Sequence, residues 1–246
     1  MTHNPKLAVL IDADNAQASI IKELFTEVST YGTASVKRAY GDWTTPNLKG
    51  WKETLHLMAI QPIQQFSYTT GKNSTDSSLI IDAMDLLHSG KLDGFCLVSS
   101  DSDFTRLATR IREAGLAVYG FGERKTPPAF VAACDKFIHT ENLRPAAAAA
   151  QQECKQAKTV QPAAPIVLDA ETTQIVQKAV IAAARDDGFA YLSNVGSLIL
   201  KNSPAFDPRT YGCQKLSELV RRLPFLAIRE SQDERGIVTQ LHVKLK

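Results

Sequence analysis

A chain of 246 residues, 44% hydrophobic and 22% charged with a formal net charge of +2, has the composition of a globular protein of one or two domains and excludes a fibre. No stretch approaches the roughly 20 apolar residues of a membrane helix, and the polar start MTHNPK does not read as a secretory leader, so a cytoplasmic protein with no membrane partner is expected. Cys96, Cys134, Cys154 and Cys213 lie far apart, without CxxC or histidine spacing, and read as reduced thiols rather than a zinc site.

Residues 1–144 alternate strand-like and helix-like patterns. KLAVLI (6–11), ASVKRAY (34–40), IQPIQQF (60–66), GFCLVSS (94–100) and LAVYGFG (116–122) are short β-prone runs, with KFIHT (136–140) as a candidate sixth strand. Between them, residues 16–29, 46–59, 75–89 and 104–114 space their apolar residues near 3.6. The alternation predicts an α/β fold, a parallel sheet covered by helices on both faces, whose ligand crevice lies beyond the carboxyl ends of the strands.

Those ends are acidic. The first strand runs into Asp12, Ala13, Asp14 and Asn15; the fourth into Ser99, Ser100, Asp101, Ser102 and Asp103; the third helix opens at Asp76. If strands one and four are neighbours, the carboxylates meet at one crevice. Like charges so close need a cation, and carboxylates unaccompanied by His or Cys suit a hard ion, Mg²⁺ or Mn²⁺. Two such ions about 4 Å apart can activate water and stabilise the leaving oxygen of a phosphodiester.

Helix capping is the competing explanation for Asp14 or Asn15, for Ser102 or Asp103 and for Thr75 or Asp76. One helix needs one cap, however, which leaves Asp12 and Asp101 without a capping duty. Asp82, among Ile80, Ile81 and Ala83, is expected to be a half-buried partner behind the ligands, as are Asp14, Asn15 and Ser100; Asp85 reads as a surface acid. Lys37 and Arg38 near the end of the second strand, Trp43 in AYGDW and Lys72 supply the cations and aromatic ring that hold single-stranded nucleic acid, although a tryptophan is as readily a core or lid residue.

Residues 145–165, PAAAAAQQECKQAKTVQPAAP, have the composition of a flexible linker. Beyond it, helical patterns over 170–185, after the turn in GFAYLSNVGSLILKNSP and in YGCQKLSELVRRLP precede two strand-like runs, FLAIRE and GIVTQLHVKLK, joined as a hairpin across SQDERG. Three helices and a terminal hairpin predict a small α+β winged helix over 166–246. Lys and Arg against Asp and Glu number 15 to 16 in residues 1–144 and 11 to 9 in 166–246, so nucleic-acid binding must rest on local patches. Lys201, Arg209, Lys215, Arg221 and Arg222 are candidate phosphate contacts, against the plainer reading of a solvated helix face.

IDADN, AYGDW, GKNSTDSSLIIDAMDLL and LVSSDSDFTRLATRIREAGLAVYGFG, in that order, resemble the NYN domain of the PIN-like nuclease superfamily. The resemblance implies a metal-dependent ribonuclease site in which Asp12, Asp76, Asp101 and Asp103 match the acidic positions and Asp14 and Asp82 less certain ones. DGFAYLSNVGSLILKNSPAFDPRTYGCQKLSELVRRLPFLAIRE resembles the OST-HTH or LOTUS domain, which implies RNA binding and, in some members, protein binding. The expectation is an endoribonuclease acting on single-stranded or structured RNA. A non-catalytic RNA-binding adaptor with a vestigial acidic site is the alternative. A haloacid-dehalogenase-like phosphatase fits worse, because Ala16 stands where that pattern wants Thr or Val, and YGFG is a poor dinucleotide fingerprint.

Overall fold

The computed structural model describes residues 4–66, 74–143, 168–232 and 238–246, and the chain divides into two compact units, 1–152 and 153–246. In the first unit six parallel strands form one sheet in the order β3-β2-β1-β4-β5-β6. These are β1 (Lys6–Asp12), β2 (Thr33–Gly41), β3 (Gln61–Gln64), β4 (Gly94–Val98), β5 (Ala117–Gly122) and β6 (Lys136–His139). The central pair is readable in the residues: after Lys6, β1 is buried throughout, as is all of β4, because a strand covered on both faces cannot alternate polar with apolar. β3, with Pro62 in QPIQ and more exposure, takes an edge, where a missing N–H costs no ladder bond.

The strands are linked by α1 (Ile21–Val28), α2 (Trp51–Leu57), α3 (Ser74–His88), α4 (Thr105–Glu113) and α5 (Pro128–Ala133). Leu7, Val9 and Ile11 of β1 pack with Ile21, Leu24 and Val28 of α1 and with Trp51. Ala8 and Leu10 point to the opposite face by the strand's alternation. Farther along the chain the fully buried rings of Phe104, Phe130 and Phe137 follow one another at 6.5 and 5.8 Å. The predicted helices over 16–29 and 46–59 each open as a 3-10 turn, Ala18–Ile20 and Pro46–Leu48, before becoming α-helical. α5 was not expected; its signal is the Pro127–Pro128 pair, since proline suits the first helical position.

Among the described residues one non-glycine position has a positive φ. Ala59, with φ +50°, ends α2 in the left-handed conformation while the Ile60 N–H donates to the Leu55 carbonyl. That conformation costs a non-glycine residue about 1–2 kcal/mol, and glycine's extra chain entropy offsets only part of the gain from relieving it. Ala59→Gly should therefore stabilise the protein by about 0.5–1 kcal/mol, read as a higher urea midpoint at unchanged slope.

The second unit holds α6 (Ala170–Ala183), β7 (Ala190–Tyr191), α7 (Leu192–Asn202), α8 (Leu216–Arg221), β8 (Leu226–Gln232) and β9 (Val238–Leu245). Its strands form an antiparallel sheet in the order β7-β9-β8, so three helices and a hairpin make the expected winged helix. Asp169 caps α6 by accepting from the Thr172 N–H at 2.7 Å, and Val176, Val180, Ile199, Leu219 and Val243 meet in the core. Cys96, Cys134 and Cys213 are buried free thiols; Cys154, the 145–165 stretch and the hairpin tip lie outside the described residues. Among the described residues no helix is long and apolar enough to cross a membrane.

Candidate functional site

β1 and β4 are neighbours, with Ile11 opposite Val98, so the residues that follow each strand emerge side by side at the point where the strand order reverses. Asp12, the last residue of β1, is 1% exposed. Its Oδ2 accepts from Asn15 Nδ2 at 2.7 Å and Ser99 Oγ at 2.8 Å, while Oδ1 is buried without a hydrogen-bond partner. Burial pushes this carboxyl above its ordinary pKa, against the pull of the Asn15 and Ser99 bonds.

Asp76, Asp101 and Asp103 each bring one carboxylate oxygen within 4.8 Å of the others'. Asp76, in the first turn of α3, is 9% exposed. Its pKa is pushed up to about 6, first by burial and then by the charges of Asp12, Asp101, Asp103 and Asp14. Asp12 stands outside the mutual triad, yet its charge is the largest of those acting on Asp76. Oxygen-only donors, repelling one another around an orphaned buried carboxylate oxygen, fit a hard divalent cation such as Mg²⁺ or Mn²⁺.

Capping falls on an acid that was expected to have no such duty. Asp101 does cap, its Oδ1 accepting from the Asp103 N–H at 3.0 Å at the head of the 3-10 turn Ser102–Phe104. Neither Asp14 nor Asn15 caps: the turn before α1 starts at Gln17 without a side-chain bond, and Asn15 turns back to Asp12. Exposed Asp14 instead accepts from Thr75 Oγ1 at 3.0 Å, tying the β1 end to the start of α3. Ser100 accepts from the Glu123 N–H at 2.8 Å, so it joins the ends of β4 and β5 while Ser99 supports Asp12. Thr75 and Ser99 are the supporting residues that sequence reasoning missed. Alternation along β4 was the available signal for Ser99, which follows the residue paired with Ile11.

Asp82 belongs to a different structure. Its Oδ2 accepts from Arg38 Nη1 at 2.8 Å and Tyr40 OH at 2.9 Å, which locks α3 to β2 and engages the arginine expected on phosphate. Trp43 donates its indole N–H to the Ile63 carbonyl at 2.9 Å and stands edge-on to Trp51 at 6.3 Å. Its ring is half-buried, and with Leu48, Lys49, Lys52, His56 and Pro62 it lines a cavity of about 810 Å³. Gly41, the last residue of β2, stands near both Leu48, which lines this cavity, and Asp14. A Cβ there would stand 2.7 Å from Leu48 Cδ1, the movable end of a side chain, and 3.4 Å from Asp14 Oδ1, an ordinary contact. The glycines of YGFG have a packing role, since a Cβ on Gly122 would come within 2.6 Å of the Ser99 carbonyl. Lys72 lies outside the described residues.

In the second unit the predicted phosphate contacts are partly spent. Arg209 forks onto Asp207, Arg221 pairs with Glu230 at 2.5 Å, and Arg222 Nη1 reaches Cys213 Sγ at 3.6 Å. Lys201 and Lys215 are exposed, on α7 and just before α8.

A six-stranded parallel sheet flanked by helices, with carboxylates gathered at its switch point, is a nuclease-type PIN-like fold. Residues 6–141 match the NYN domain model, and the chain belongs to that family; residues 167–238 match the OST-HTH/LOTUS domain, an RNA-binding module. No curated protein matches the chain. Among solved structures, a protein of unknown function from Vibrio parahaemolyticus aligns at 22% identity over 56% of this chain and 93% of its own, with a TM-score of 0.46. An uncharacterized protein from Nitrosomonas europaea aligns at 33% identity over 37% of this chain and 90% of its own, with a TM-score of 0.29.

Proposed function

We propose that the first unit is a divalent-metal-dependent ribonuclease, an endonuclease of single-stranded or structured RNA, and that the second unit holds the RNA for it. The observation carrying this reading is the convergence of Asp76, Asp101 and Asp103 within 4.8 Å beside buried Asp12, whose Oδ1 has no partner among the described residues. These four would hold Mg²⁺ or Mn²⁺. When bound, the ion supplies Lewis acidity that activates water and stabilises charge at the phosphodiester. Asn15 and Ser99 fix the Asp12 carboxylate, and Asp14 with Thr75 fixes the helix that carries Asp76. From the crevice the strand would pass Gly41 towards Trp43, where Lys49 and Lys52 offer phosphate contacts; Lys72 would add another. Residues 145–165 act as the tether, which raises the effective concentration of RNA at the acidic site. The cytoplasm is the proposed location.

The test is cleavage by the full chain, stripped of metal and then given Mn²⁺ or Mg²⁺, on end-labelled single-stranded and hairpin RNAs. Internal cuts should depend on the ion, and Asp101→Asn should slow them at least about 10²-fold, more than is usual for a residue merely supporting a ligand. RNA that is bound but never cut, equally by wild type and Asp101→Asn, would leave the adaptor reading in place instead.

A further inference from the structure

The antiparallel sheet of the second unit has one face in the core and one turned away from it. Ala190, Ile228, Leu241, Val243 and Leu245 join the core cluster, so alternation places Tyr191, Arg229, His242 and Lys244 on the other face, where Arg229 and Lys244 are exposed, Tyr191 is half-buried and His242 is covered by its neighbours. Tyr191, His242 and Arg229 stand in one row across β7, β9 and β8, each directly opposite the next. The Tyr191 and His242 rings are 4.6 Å apart.

Cations surround these rings. Arg185 lies 5.0 Å from the Tyr191 centroid and donates to its hydroxyl at 2.8 Å. Half-buried Phe189 has Arg229 at 4.1 Å and Lys244 at 5.6 Å. Arg185, Arg229 and Lys244 are all exposed. Asp187 takes up one charge, accepting from Arg229 at 2.6 Å, while Lys244 reaches only its backbone carbonyl, at 3.3 Å. Rings interleaved with basic heads are the combination that stacks bases and holds the backbone of a single strand.

We infer that this outer sheet face is where the second unit binds single-stranded RNA, with bases on Tyr191 and Phe189 and phosphates on Arg185 and Lys244. The inference rests on the RNA-binding role of residues 167–238 and moves it from the helices to the sheet. Arg209, Arg221 and Arg229 each already answer a carboxylate of their own chain, which leaves Arg185 and Lys244 as the phosphate contacts of this face.

The experiment uses the full chain in EDTA, so that nothing is cut, with a fluorescein-labelled single-stranded RNA. Binding is followed by anisotropy across salt, and contacts are mapped by ultraviolet crosslinking and mass spectrometry. Tyr191→Leu should weaken binding about 5- to 100-fold. Lys244→Gln should flatten the slope of log affinity against log salt by about 0.7, a change that a merely structural role would not produce. Lys178→Gln, on α6, should leave both unchanged, and thermal melts confirm that each variant is folded. Crosslinks should fall on peptides containing Phe189 or Tyr191. Crosslinks on α7 and α8, with Lys201→Glu or Lys215→Glu weakening binding while the sheet variants do not, would overturn the sheet assignment yet keep RNA binding. Crosslinks confined to residues 4–143 would overturn both.

Discussion

Mn²⁺ added to the metal-free protein should raise the melting temperature of the first unit, and Asp101→Asn should lose most of that rise while melting higher than wild type without metal. An ion held only by the folded state stabilises by about 2.7 kcal/mol at a hundredfold excess over its dissociation constant, worth roughly 5–10 °C for a unit of this size. Without the ion the same carboxylates repel, and their charges, after burial, help to raise the pKa of Asp76. Replacing Asp101 by Asn removes one of those charges, for a gain of about 1 kcal/mol, and keeps an oxygen that can still accept from the Asp103 N–H. The opposite signs with and without metal separate a ligand from a structural acid, whose loss would destabilise in both states. Equal gains in wild type and variant would place the ion elsewhere; no gain in either would remove the metal reading, and cleavage with it.

The parts of this site that sequence could show are those set by strand ends. Apolar runs at 6–11 and 94–98 have to be central, central strands of an alternating α/β chain have to meet at the switch point, and Asp12 and Asp101 follow directly from that. What stayed hidden is what joins elements far apart in the chain. Asp82 and Arg38 are 44 residues apart, and nothing in either neighbourhood says that α3 lies against β2 with a tyrosine hydroxyl between them. Trp43 had two readings because its use depends on β3: the Ile63 carbonyl fixes the indole nitrogen, and the ring then forms one wall of a cavity. In the second unit, counting basic residues along the chain could not reveal that Asp207 and Glu230 occupy two of them, whereas alternation in FLAIRE and LHVKL already held the outward positions of Arg229 and Lys244.

In the metal-free protein, acidification from pH 7 towards 4 should stabilise the first unit relative to its Asp76→Asn variant. In the folded state the Asp76 carboxyl titrates at about 6, against 3.8 for the ordinary group. Above pH 6 it is ionised in both states, and the fold bears the full cost of a buried charge among other acids. As pH falls through 6 the folded protein takes up the proton while the unfolded chain does not, so stability rises until the unfolded chain protonates too, near 3.8. The gain has an upper bound of about 3 kcal/mol. Asp12, also pushed up, acts in the same direction; Asp169 and Asp187, held low by their hydrogen bonds to Thr172 and Arg229, oppose it in the other unit. Subtracting the Asp76→Asn curve, measured by urea unfolding of the full chain at each pH, removes those shared contributions. Curves that run parallel would mean that neither burial nor its acidic neighbours raise the pKa of Asp76. With Mn²⁺ present the proton and the ion compete for one carboxylate, so the ion's stabilisation should fade below pH 6 in wild type, the range in which the metal-free fold gains.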